Sequence, residues 1–420
     1  MNFRIVLAFI YTISLFSFDI AFAENWPQWR GPNANGVAAN GSSYPTSWST
    51  SENVAWKVAL PGSAGSTPIV WDDKIFVTCP DNGNNSCICI DRSGKKLWQA
   101  KIGSDAGGKH KKGSGSNPSP VTDGELVYVY YRSGDLAAID FSGEIVWHKN
   151  LQELIAKDNL WWDLGTSPVL TRKHVVIACM QTGESYVVGI DKKTGNIDWK
   201  QDRNLDAPVE ANQSYSTPLV VEQQGKESLI ILGADHITAH DAENGKEIWR
   251  VGGLNPDQEM YFRSIASPVI SNGLVIAPYA RGDSLTAVRL DGHGDVTKTH
   301  IKWSKFDGSS ADVPTPAAQD GKLFICADKG KVTCMDIDSG RILWEQQVEK
   351  NRNAFSSSPI ATANHVYLVR EDGRTFVIEN GDEFKLVETN DLDEFTVATP
   401  VFVDGSILIR TAEHLYCIKE

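Results

Sequence analysis

The chain has 420 residues, 41% hydrophobic and 9% aromatic, with 35 Gly, 18 Pro and 13 Trp, a composition that can build a large core and excludes disordered and collagen-like chains. With 40 Lys and Arg against 53 Asp and Glu, the formal net charge is -13, so a protein that tracks phosphate backbones is not expected and no nucleic acid is assigned as a partner.

Met1 to Arg4 and an apolar run from Ile5 to Phe18 lead to Ala21-Phe22-Ala23, the charged, apolar and small-residue layout of a secretory signal peptide cleaved after Ala23. An uncleaved anchor is the competing reading, but Tyr11, Thr12 and Ser14 interrupt the run, which falls short of the ~20 residues a span needs. The first cysteine is Cys79, so no Cys stands at the cleavage site for lipid attachment. The expected product is exported, periplasmic or extracellular, with no transmembrane anchor after cleavage. Residues 24–52 read as a leader segment and 53–420 as one repeat domain.

Ser-Pro or Thr-Pro opens eight units, at Thr67, Ser119, Ser167, Thr217, Ser267, Thr315, Ser358 and Thr399, with successive prolines 41 to 52 residues apart. Each unit reads as four short strands. In the second, Pro120-Val121, Leu126 to Val129, Leu136 to Asp140 and Ile145 to Trp147 are separated by Asp123-Gly124, Ser133-Gly134 and Ser142-Gly143 turns. The ending recurs as Asp91 to Gly94 to Trp98, Asp191 to Gly195 to Trp199, Asp241 to Gly245 to Trp249, and Asp336 to Gly340 to Trp344. Asp and Gly set the turn and the Trp packs one sheet on the next. Four-stranded units repeated eight times predict an all-β, eight-bladed β-propeller of antiparallel blades. Asn53 to Val58, with Trp56, is an orphan fourth strand, and the eighth unit ends at Glu420 without one, so this N-terminal strand should complete the last blade. Trp56, Trp98, Trp147, Trp199, Trp249, Trp303 and Trp344 are the expected blade-docking residues. Two departures stand out: Gly292 to Asp295 is inserted before Trp303, and Val387 replaces the seventh Trp.

The repeat Asp-x-x-(Thr/Ser)-Gly-x-x-x-Trp with its (Ser/Thr)-Pro resembles the pyrrolo-quinoline quinone (PQQ) repeat over residues 53 to 420. That repeat is shared by quinoprotein alcohol dehydrogenases and BamB-type propellers of the outer-membrane barrel assembly machinery. Asn25-Trp26-Pro27-Gln28-Trp29-Arg30-Gly31-Pro32 is similar to the leader of exported bacterial PQQ-like propellers. The resemblance implies a monomeric, non-catalytic scaffold for a protein or polymer partner of the cell envelope. Its alternative is a PQQ- and calcium-dependent dehydrogenase oxidising alcohols or sugars.

Loops joining blades should crowd one face, and the segments 103–116, 150–165, 201–215 and 252–263 are expected to form a rim around the channel mouth. Candidate partner- or ligand-contacting groups there are Arg132, Trp161, Trp162, Tyr261, Arg263, Arg281, Arg370 and Arg410, suited to an anionic, planar or carbohydrate-like ligand. For the dehydrogenase alternative, Glu210 and Asn212 are oxygen ligands in the calcium sense, with Asp163 or Asp312 as base. Lys109-His110-Lys111-Lys112 reads as a solvated loop. Cys79 with Cys87, and Cys326 with Cys334, could each face across a hairpin or be buried as small apolar groups.

Overall fold

The computed structural model describes residues 24–39 and 41–420; the expected signal segment, 1–23, lies outside the described residues. Eight sheets are present among the described residues, each with four antiparallel strands, and Val54–Ala59 pairs with His414–Ile418 to complete the eighth. The second and third strands of a blade are buried almost without alternation, as in Lys74–Asp81 and Asn84–Asp91, because each is covered by a neighbouring blade on both sides. Fourth strands alternate, as Ile301–Phe306 does, since one face meets solvent.

The repeated Trp and the repeated Gly are two halves of one contact. Trp98 of the first blade lies against Gly143 of the second, where an added Cβ would stand 2.8 Å from the indole, and its Nε1 donates to the Phe141 carbonyl at 3.0 Å. Trp56 on Gly94, Trp147 on Gly195 and Trp303 on Gly340 repeat the arrangement, donating to Arg92, Lys192 and Ile337. Trp249 and Trp344 donate to Leu290 and Gly381, while Trp199 packs on Gly245 without a partner for its Nε1. The glycine thus serves twice, taking positive φ and leaving its face bare for the ring. Val387 falls where a Trp would dock on the eighth blade's third turn. That turn does not exist, because the third and fourth strands there belong to opposite ends of the chain.

The insertion before Trp303 has a structural use. Gly294–Asp295 leaves the fifth blade and pairs in parallel with Glu247–Val251, adding a fifth strand to the fourth blade.

The Ser or Thr before each blade-opening Pro forms a belt around the channel. Thr67 N–H donates to the Ser119 hydroxyl, Ser119 to Ser167, and so on to Ser358 and Thr399, at 2.8 to 3.2 Å. The Thr67 hydroxyl donates to the Thr399 carbonyl and closes the circle. Each belt N–H is buried next to the axis and needs a partner there; the following Pro brings no N–H that would need another.

The leader crosses the channel base. Trp26 bridges Val70 of the first blade, Pro27 O accepts from Thr122 of the second, and Asn35 to Ala38 bond Ala318 and Ala361 of the sixth and seventh, on the far side of the ring. Arg30 is fully buried and bonds the carbonyls of Ala34 and Pro316, and burial pushes its guanidinium down to about 9.

Of the two readings of the cysteines, pairing across a hairpin is not what the structure has: all seven thiols are free. Thr78, not Cys79, stands opposite Cys87, so Cys79 and Cys87 point to opposite faces of the sheet. Cys326 faces Val332 and Cys334 faces Phe324, one diagonal step apart. The buried-apolar reading holds.

Candidate functional site at the channel mouth

Connections between the fourth strand of one blade and the first of the next share one face, and those after the first four blades are the expected inserts. They are bonded to one another in sequence. Backbone N–H groups of Lys109 and His110 donate to Asp163 at 2.6 and 2.9 Å. Trp161 N–H donates to Gln213 and Trp162 Nε1 to Glu210, at 2.9 and 2.8 Å. Glu210 N–H donates to the Met260 carbonyl at 2.9 Å. Lys112 reaches over the mouth from the first connection to Glu371 of the seventh blade, 2.6 Å away.

This framework leaves large apolar groups in solvent. Leu154, Trp161, Trp162, Val209, Met260 and Tyr261 are all exposed, Tyr261 by 49% and Trp161 by 47%, and they sit on three successive connections. Val209 holds φ +39, a strained value for a β-branched residue. The result is an apolar crown, six exposed groups on connections joined by hydrogen bonds, in place of the scattered single residues normal on a soluble surface.

Inside the crown lies a cavity of about 520 Å³ whose wall includes Ser119, Ser167, Thr217, Ser267, Thr315, Ser358 and Thr399 of the belt. Trp162 stands at its mouth, and Trp29 of the leader closes its far end, with a second cavity of about 420 Å³ beyond. Arg263, Arg281 and Lys112 also line it. Arg281 enters through a turn in which Ala280 and Arg281 both hold positive φ, 53 and 55.

The structure brings Trp162, Asp163, Arg263 and Arg281 together at the cavity and Trp161 and Tyr261 onto the crown beside it. Two expected rim arginines are internal. Arg410 is 1% exposed and bonds Ser66 and Thr78 carbonyls, tying the eighth blade to the first. Arg370 is fully buried, with Asp372 at 2.9 Å. Both are corrected from ligand groups to struts: a buried guanidinium must find its acceptors inside the protein. Arg132 is mostly covered and bonds Asp158 at 3.3 Å and Gly107 O at 2.8 Å, clamping two connections.

Glu210 and Asn212 share one short turn but do not fit a calcium site. The Glu210 carboxylate accepts from Trp162 and has the Arg263 guanidinium at 3.5 Å, a cation already placed where a metal would sit. Neither residue lines the cavity. The two expected bases have other tasks. Asp163 holds the 109–110 backbone, and Asp312 joins Arg263 at 3.1 Å and Arg281 at 3.9 Å. Burial pushes Asp312 and its neighbour Asp328 above the usual carboxylate range.

The belt and Trp29 were not expected as parts of a site. The signals are present: eight hydroxyl residues in one register, and three tryptophans, Trp26, Trp29 and Trp48, in an otherwise polar leader.

The family model described as outer membrane protein assembly factor BamB matches residues 83–232 and 295–383. The outer membrane protein assembly factor BamB of Yersinia pestis is 22% identical over 328 residues, 76% of each chain. Among solved structures, BamB from Moraxella catarrhalis superposes with a TM-score of 0.62 at 13% identity, over 87% of this chain and 97% of that one. Quinohemoprotein alcohol dehydrogenase from Comamonas testosteroni gives 0.65 at 13% identity, over 94% and 80%. These structural likenesses show the propeller fold.

Proposed function

This chain belongs to the family of outer membrane protein assembly factor BamB, and from that premise we propose that it is an exported, non-catalytic propeller of the cell envelope that holds a protein of the outer-membrane assembly apparatus on its crown. The observation that carries the reading is the crown itself, six large apolar side chains exposed together on one face and held rigid from below. A preorganised apolar patch loses little side-chain freedom on binding, and exposed Trp and Tyr are the residues most often dominant in interfaces.

The envelope location rests on the signal-like residues 1–23 and on the family. Among the described residues no helix is long and apolar enough to cross a membrane. The partner is taken from the relatives' description, and a monomeric propeller is the form expected to meet it.

The test is binding of the purified mature protein to purified components of that apparatus. Trp161→Ala and Tyr261→Ala should each weaken the complex by about tenfold or more. Both side chains are about half exposed, so the thermal midpoint should not move. Undiminished binding by the double variant would refute the crown as the partner surface.

A further inference from the structure

We propose that the cavity inside the crown binds a neutral saccharide, held by the belt hydroxyls between Trp162 and Trp29. Its place is the interior of the mouth rather than the outer surface assigned to the partner, and Trp162 alone of the crown residues belongs to both.

Hydrogen-bond capacity carries it first. Seven belt hydroxyls line the cavity; each accepts one backbone N–H and, among the described residues, donates to nothing. Each therefore keeps one proton and one lone pair for a ligand. A sugar hydroxyl has the same mixed needs, whereas a carboxylate would use the protons only.

Charge separates a neutral ligand from an anion. The three cations of the lining each face a carboxylate of the protein: Lys112 with Glu371 at 2.6 Å, Arg263 with Asp312 at 3.1 Å and Arg281 with Asp312 at 3.9 Å. Asp312 is shared by the two arginines, and Arg263 also has Glu210 at 3.5 Å, so three cations meet three carboxylates and the lining carries no surplus positive charge to hold an anion. The paired guanidiniums and carboxylates still present oriented donors and acceptors to hydroxyl groups.

Aromatic rings at the mouth and floor offer flat apolar faces to the C–H side of a pyranose ring, and about 520 Å³ lies within the range of small-ligand sites. Because Trp29 closes the base, a free sugar or the end of a glycan chain can enter, but a chain cannot thread through.

The test is calorimetric titration of the mature protein with cellobiose, maltose and N,N′-diacetylchitobiose, with citrate as the anionic comparison. At least one neutral disaccharide should bind at a single saturable site and citrate should not. Trp162→Ala should lower the affinity about tenfold. Gly165→Leu should abolish it: Gly165 lines the cavity at ordinary φ, and a Cβ there meets nothing nearer than the Tyr215 carbonyl at 3.4 Å, so the added side chain narrows the space without straining the backbone. Thermal melting checks that both variants fold. Co-sedimentation with amorphous cellulose and chitin distinguishes the sources: retention assigns a chain end, and titration by disaccharides alone assigns a free sugar. Binding of citrate but of no neutral sugar, no sugar binding at all, or an affinity unmoved in both variants would overturn the proposal.

Discussion

At the scale of single residues, the Trp and Gly of successive blades form the unit that holds the ring. Removing the ring side chain in Trp303→Ala should cost roughly 3 to 5 kcal/mol. Gly340→Ala should also destabilise, since its φ is +68 and the new Cβ would stand 2.7 Å from the Trp303 indole. Chemical denaturation of both single variants and the double variant should show strong coupling, because the second change removes what the first one clashes with. Additive losses would contradict the paired contact. Glu394 supplies a second residue-level case. Burial alone would raise its carboxyl, but hydrogen bonds from Lys57, Thr411, Tyr416 and His414 together hold it down at about 2, below its ordinary 4.5. Such a group stabilises the fold above its unfolded value and loses that contribution as pH falls from 4.5 toward 2. Thermal melts of Glu394→Gln over this interval should lack part of the acid-induced loss seen in the parent protein.

At the scale of elements, the belt and the leader show what repeat reading catches and what it passes over. The spacing of the Ser-Pro and Thr-Pro pairs located every blade, since strand alternation and turn chemistry act locally and leave a periodic trace. Their second role arises only when eight copies converge on an axis, and no single copy shows it. Replacing one hydroxyl, as in Ser267→Ala, leaves the buried Thr217 N–H without its acceptor and should cost about 1 to 3 kcal/mol, measurable by denaturant unfolding. Site residues were legible according to their exposure. Trp161, Trp162 and Tyr261 stand where loop composition placed them. Arg370 and Arg410 do not, because an arginine after a strand reads alike whether it points to solvent or bridges carbonyls inside the ring. The leader was readable as a motif but not as a plug, since its contacts with the first, second, sixth and seventh blades are all distant in sequence.

At the scale of the whole molecule, the two ends of the chain close one sheet, and the leader ties opposite sides of the ring beneath the cavity. Removing residues 24–58 should therefore lower the thermal midpoint by more than about 10 °C or abolish the cooperative transition, as loss of a strand, a docking Trp and the floor together would require. An unchanged midpoint would refute closure by this strand. A ring so held is a rigid support for the crown, and the crown carries the functional reading. The most direct test is photo-crosslinking in the native envelope from a reactive residue at Tyr261, with the same residue at Lys193 on an outer turn as the comparison. The account predicts a defined adduct from position 261, identified by mass spectrometry as a component of the outer-membrane assembly apparatus, and none from position 193. An absence of adducts from position 261, or the same adducts from both positions, would contradict it.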